Sequence, residues 1–314
     1  MHPMKVLFIT AIQDLIISEN LGRGDRISPE LFITNDLSFI KSLLTDEFRL
    51  MAGKLETDFI LTSNVIIYGR NDVNDNNFVG QDYLKRQMVR LQFFLNFIWL
   101  LKDNSANFDM AFLQYNELRG VRIDKNFISA VYTNCNGERD TVTLSREELK
   151  LARRIFREKF SKEPVELENG TRLQKGINRI SIVLYLLQAA RSNSDIAIKI
   201  DEYCTCLEAL FSTGSAELSH QLSERIALFL GDSVEERRDI FSKIKEAYGI
   251  RSTIVHGDLL SPSKIKKLHT IVENCDNFLR GIISKFFSDE KLIDIFSSLP
   301  EQLDGYFLNL ILTK

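Results

Sequence analysis

Two hydrophobic patterns divide the chain. Over about the first 145 residues, short β-branched and aromatic runs alternate with polar stretches. "VLFI" near the start, "FILTSNVIIYG" at 59–69 and "MAFLQY" at 110–115 read as strands. "ISAVYTN" and "DTVTL" flank Asn136-Gly137, a pair favoured in tight turns, and predict a hairpin with a loop longer than two residues. Leu84, Met88, Leu91, Phe94, Leu95 and Ile98 recur at helical spacing and predict one helix over 81–102. The polar stretch "GRNDVNDNNFVGQD" at 69–82 reads as a loop. Together these predict an α+β domain over 1–144.

From Ser145 onward the period becomes helical. "SREELKLARRIFREKF" opens with a capping box, Ser145 with Glu148 three residues on. Beyond the turn-rich "SKEPVELENG", Leu173, Ile177, Ile180, Leu184 and Leu187 form one stripe, and Ile196, Ile200, Cys204, Leu207 and Phe211 another. "AELSHQLSERIALFLG" and "VEERRDIFSKIKEAYG" each end at a glycine, which predicts a helix stop. Ser261-Pro262 is an N-cap and first-turn pair for a helix carrying Ile265, Leu268, Val272, Cys275, Leu279, Ile282 and Phe286 on one face. An all-α helical bundle of about five helices is expected over 145–314.

Size and composition agree with a two-domain globular protein. The 314 residues exceed the usual length of one domain, and 44% apolar with 26% charged residues is an ordinary globular balance. A net charge of -3 excludes a protein that coats nucleic acid by bulk electrostatics, so any RNA contact must be local. Cys135, Cys204, Cys206 and Cys275 lack metal-ligand spacing and read as reduced thiols. The start lacks the pattern of a signal peptide, and the apolar run "LQFFLNFIWLL" is too short to span a bilayer. A cytoplasmic protein without a membrane segment is expected.

Common catalytic and cofactor motifs are missing from the sequence. There is no HExxH, Cys/His zinc pattern or EF-hand loop, no GxxxxGK[ST] or GxGxxG after a strand, and no G-x-S-x-G. Neither a cofactor nor a metal is expected. The cluster "LARRIFREKFSK" is balanced by nearby glutamates and reads as a solvated helix face. Attention falls on "YGIRSTIVHGDLLSPS" at 248–263. Tyr248-Gly249 reads as a helix end, with Arg251 on a short restart. The five-residue offset from Arg251 to His256 turns the two side chains about 140° apart on a regular helix. Spacing alone therefore describes a surface arginine and a capping or packed histidine. Gly257 leaves room for a second backbone or a ligand.

Three segments change that picture when taken together. "LEALF" at 207–211, "SERIALFLG" at 223–231 and "AYGIRSTIVHG" at 247–257 resemble, in order and distance, the Apea-like branch of HEPN domains. The likeness extends more loosely over 145–285. It implies a helical bundle that dimerises and a metal-independent ribonuclease. His256 would act as acid and base, and Arg251 would hold the phosphate as charge builds on it. The 2′-hydroxyl would attack, leaving a 2′,3′-cyclic phosphate and a 5′-hydroxyl end. Glu208 and Ser252 would support Arg251, and a homodimer would bring two Arg251/His256 pairs to one cleft. Arg225, before Ala227, reads as a structural ion-pair residue.

Two positions depart from the family pattern. Ser252 follows the arginine where Asn, Asp or His is usual, though serine still donates a hydrogen bond. Asp258 stands where a tyrosine marks members modified by a partner nucleotidyltransferase, which argues against such a toxin–antitoxin pair. The expected function is an endoribonuclease effector of antiphage defence, by abortive infection, or of stress. RNA would be its substrate, and a phage-derived or cellular trigger would act on the N-terminal domain. The rival readings are a non-catalytic HEPN module for dimerisation or RNA binding, and a nucleotide-binding regulator.

Overall fold

The computed structural model describes residues 4–74, 77–117, 120–128, 130–159, 171, 173–174, 177–214 and 217–313. The chain divides into two compact units, Met1–Tyr132 with Arg139–Val165, and Thr133–Glu138 with Glu166–Lys314.

The first unit runs β1 (Met4–Ile12), β2 (Leu15–Ile17), β3 (Asp25–Arg26), β4 (Phe32–Thr34), α1 (Leu37–Leu43), α2 (Asp46–Ala52), α3 (Lys54–Thr62), β5 (Val65–Val73), α4 (Gly80–Leu101), β6 (Met110–Glu117), β7 (Gly120–Phe127), β8 (Val142–Leu144) and α5 (Arg146–Lys159). Its main sheet is antiparallel, in the order β3-β4-β5-β1-β6-β7. Strand side chains alternate between the two faces. Ile9, Ala11, Ile66, Tyr68 and Phe112 form a core with Ile40, Leu43, Leu44, Phe48 and Ile60 of α1–α3. α4 contacts β6 and β7 and packs along α5, where Phe156 stacks edge-on against Phe94 and Phe97.

These packings correct several expectations. The stretch 59–69 is helix to Thr62 before β5 begins, because Ile60 is drawn into the α1–α3 core. The polar loop at 69–82 is shorter, with β5 continuing to Val73 and α4 starting at Gly80. No hairpin forms about Asn136-Gly137, since β8 pairs in parallel with the distant β2. The capping box at Ser145 forms as the sequence predicts: Ser145 N–H donates to Glu148 Oε2 at 2.8 Å, and Glu148 N–H to Ser145 Oγ at 3.3 Å. Hydrogen bonds from Lys102 and from Ser145 hold the Glu148 carboxyl down at about 2. The helix it opens, however, belongs to the first unit rather than to the bundle. Phe156 buries there, and Asp25 holds both Arg146 (2.9 Å) and Arg153 (2.6 Å). The division expected at 144/145 is therefore not where the chain divides.

The second unit is helical: α6 (Arg179–Ser192), α7 (Ile196–Phe211), α8 (Leu218–Leu230), α9 (Val234–Val255), α10 (Pro262–Ile265), α11 (Leu268–Ser288), α12 (Glu290–Phe296) and α13 (Pro300–Thr313). The turn-rich 161–170 lies outside the described residues. Leu173 is exposed and precedes α6, which starts behind the Asn178 N-cap. The helix expected from Ser261 is two, with Ile265 left exposed at the end of α10. α12 and α13, not anticipated, close an aromatic core in which Phe296 meets Phe211, Phe229, Phe286 and Phe307. Thr133–Glu138 joins this unit through Thr133, whose N–H donates to Arg191 O (2.7 Å) and whose Oγ1 donates to Asn193 O (2.8 Å). Gly137 has φ +76, and a Cβ there would lie 2.1 Å from Ser194 O, so only glycine fits. No helix among the described residues is long and apolar enough to cross a membrane.

Candidate functional site

α9 carries the residues singled out by the sequence, and it is one unbroken helix. Ser233 and Glu236 form a capping box at its start. The helix does not stop at Tyr248-Gly249, because Ala247 and Ile250 are buried on either side of the glycine and hold the turn in place. It stops at Gly257 instead. There Gly257 N–H donates to Ile254 O and Asp258 N–H to Thr253 O, both at 2.9 Å, with Gly257 at φ +76. That is the Schellman arrangement, which needs a left-handed residue just past the helix. Gly257 thus ends α9, and no close approach by another backbone is needed to explain it.

Continuity of α9 sets the surroundings of Arg251. Tyr248 lies one turn earlier on the same face. The guanidinium sits 5.3 Å from the Tyr248 ring centroid, and Arg251 Nη1 donates to Tyr248 Oη at 3.4 Å. From α7, Asp201, Cys204 and Glu208 recur at a spacing that lines one stripe. Arg251 Nη2 donates to Glu208 Oε2 at 2.9 Å. Nε lies 3.4 Å from Asp201 Oδ1, an ion pair without hydrogen-bond alignment. Glu208 Oε1 is buried without a hydrogen-bond partner. Burial, together with the Glu208 carboxylate, pushes the Tyr248 phenol up to about 12. Below this layer the Cys204 thiol is also raised, by its neighbour Cys275 and by burial.

His256 is the C-cap residue of α9 and is exposed. Its backbone N–H donates to Ser252 O at 3.2 Å, and its ring makes no hydrogen bond among the described residues. Arg251 and His256 therefore share a helix end without touching, as the offset of about 140° requires. Ser252 is half-buried on the same turn. Lys264, from α10, reaches back to this turn and donates to Thr253 Oγ1 at 2.7 Å and Gly249 O at 3.2 Å. The stretch 255–265 exposes large apolar side chains among polar ones: Leu259 is 95% exposed, Val255 57% and Ile265 53%, with Asp258, Ser261 and Ser263 also exposed.

No protein-family model, curated protein or solved structure matches this chain. The site must therefore be judged on its own geometry.

Of the sequence-selected residues, the fold brings Arg251 to Glu208 and leaves His256 free at the surface. Asp201, Tyr248 and Lys264 were missed. Asp201 shares the helical phase of Glu208, and Tyr248 is three residues before Arg251, but reading Gly249 as a stop hid the second relation. Lys264 is placed by tertiary packing and leaves no local signal. Arg225 is structural. Its guanidinium pairs with Asp304, donates to Phe211 O at 2.8 Å and lies 4.9 Å from the Phe307 ring centroid, tying α8 to α7 and α13. His269 is likewise engaged, its Nδ1 2.9 Å from Asn136 Oδ1. Among the described residues no three His, Cys, Asp or Glu side chains gather as a metal-binding group.

Proposed function

We propose that the helical unit is a HEPN-like endoribonuclease half-site, completed when a second copy brings its own Arg251 and His256 to the same cleft. The observation that carries this reading is the placement of Arg251: a guanidinium fixed by Glu208 at 2.9 Å, five residues before a solvent-facing imidazole at the end of the same helix. An unengaged imidazole is available to take the proton of a 2′-hydroxyl and return one to the leaving 5′-oxygen. A pinned guanidinium presents forked donors to phosphate without losing rotamer freedom on binding. Val255 and Leu259, one residue before and three after His256, are exposed apolar side chains that a second copy would cover. Ser252, half-buried on the same turn, would support the arginine only through the backbone, since the partners of the guanidinium are Glu208, Asp201 and Tyr248. The protein would act on cellular RNA in antiphage defence or stress, with its first unit receiving the trigger.

The test is RNA cleavage by the purified full chain in EDTA, beside Arg251→Ala and His256→Ala. Activity in the wild type alone, with 2′,3′-cyclic phosphate ends, supports the reading. A companion arm expresses the same three proteins in cells, so that a trigger missing from the tube is supplied. A folded wild type that neither cuts RNA nor arrests growth overturns it.

A second reading is favoured by the charge count at Arg251. Two carboxylates, Asp201 and Glu208, already neutralise the guanidinium. A HEPN-like module that dimerises or binds RNA without cutting it would keep that arrangement. Under this reading the same experiment finds dimers and intact RNA.

A further inference from the structure

The main sheet of the first unit has a face that its helices cover only in part. Leu7 lies opposite Arg70 on β5 and opposite Gln114 on β6, while Lys5 lies opposite Asp72. Residues directly opposite in an antiparallel pair project to the same side, so these five share one face. Farther along that face Ile9, Ala11, Tyr68 and Phe112 are sealed by α1–α3. The cover ends at Leu43, and beyond it opens a groove of about 500 Å³ lined by Lys5, Leu7, Leu43, Arg70, Asp72 and Gln114 among others. That size falls within the range of small-molecule sites.

The chemistry of the groove is specific. Lys5 and Arg70 are diagonal neighbours on adjacent strands, which puts their Cβ atoms within about 7–8 Å of each other. Neither makes an ion pair among the described residues, and Asp72 is the one carboxylate in the lining. Two cations against one carboxylate leave a net positive end. Gln114 Oε1, meanwhile, is buried without a hydrogen-bond partner. Gln114 lines the groove, and turning its amide into it would let a ligand donor recover the free energy that the unpaired acceptor costs. Leu7 and Leu43 add apolar wall between these features. An inorganic anion would answer the cations but leave Gln114 and the leucines unused.

We infer that this groove binds a nucleotide, its phosphate on Lys5 and Arg70 and its nucleoside donating to Gln114 against Leu7 and Leu43. The inference is independent of the nuclease reading, since the groove lies wholly in the first unit. It is tested by calorimetric titration of the full chain with AMP, ATP, pyrophosphate and adenosine, each to about 1 mM. AMP or ATP is expected to bind more tightly than pyrophosphate or adenosine. Lys5→Ala/Arg70→Ala should weaken that binding at least about tenfold, as loss of two charge-assisted contacts requires. Lys5 and Arg70 are exposed, so the double variant should fold, as circular dichroism would verify. Gln114→Leu should weaken the nucleotides while leaving pyrophosphate unchanged. Absence of binding by AMP and ATP overturns the assignment. So does nucleotide binding that the double variant leaves intact, or equal affinity for pyrophosphate and ATP.

Discussion

His256 contributes little to holding the fold: it is exposed, and its ring makes no hydrogen bond among the described residues. His256→Ala should therefore leave the melting temperature unchanged while, under the proposed nuclease reading, lowering RNA cleavage by about 10²–10⁴-fold, the usual contribution of a general acid–base group. Parallel thermal melts and cleavage rates check both halves of that expectation. Tyr248 is the opposite kind of residue. Its phenol sits at about 12, raised by burial and by Glu208. A folded-state value above the unfolded one near 10 means that the neutral phenol's stabilisation is intact below about pH 10 and is lost as pH rises toward 12. Melting temperature should fall over that window, and Tyr248→Phe should make the fall shallower. Tyr83 and Tyr115, also near 12, would supply the slope that remains.

At the scale of the element, α9 separates two glycines that look alike in sequence. Gly249 lies inside the helix, with nothing within 4 Å of where a Cβ would stand. Gly249→Ala should stabilise the protein by about 0.5–1 kcal/mol through helix propensity. Gly257 has φ +76, so Gly257→Ala should destabilise it by about 1–2 kcal/mol although its Cβ also meets open space. Urea unfolding of the two variants would show shifts of opposite sign. This pair also explains what the sequence could reveal. Apolar stripes and the caps at Ser145 and Ser261 are local patterns from which the helices follow, whereas the pairing of Arg251 with Glu208 joins residues 43 apart and was legible only through the family resemblance. The run through Gly249 depends on Ala247 and Ile250 being buried by other helices, which no local window contains. β8 pairing with β2 and Lys264 reaching Thr253 are long-range for the same reason. α5 was legible as a helix, but its place in the first unit depends on Phe156 meeting Phe94 and Phe97.

For the whole molecule, a net charge of -3 gives RNA no general attraction, so the proposed nuclease would have to build its binding locally and double it by symmetry. Leu259 at 95% exposure, with Val255 and Ile265 beside it in sequence, marks the surface where that doubling would occur. Leu259→Asp should shift the protein toward monomer by light scattering and abolish cleavage, while the melt of the single chain stays within about 0.5 kcal/mol of the wild type. The path of the chain has a further consequence. It leaves the first unit after Tyr132, contributes Thr133–Glu138 to the second, and returns for α5 before crossing again. Neither unit is a continuous stretch of gene. A single recombination break at 145 would carry off α5 with the bundle and strand the 133–138 strut behind. Inheritance of this bundle on a different first half would need either two breakpoints or a new partner for Phe156.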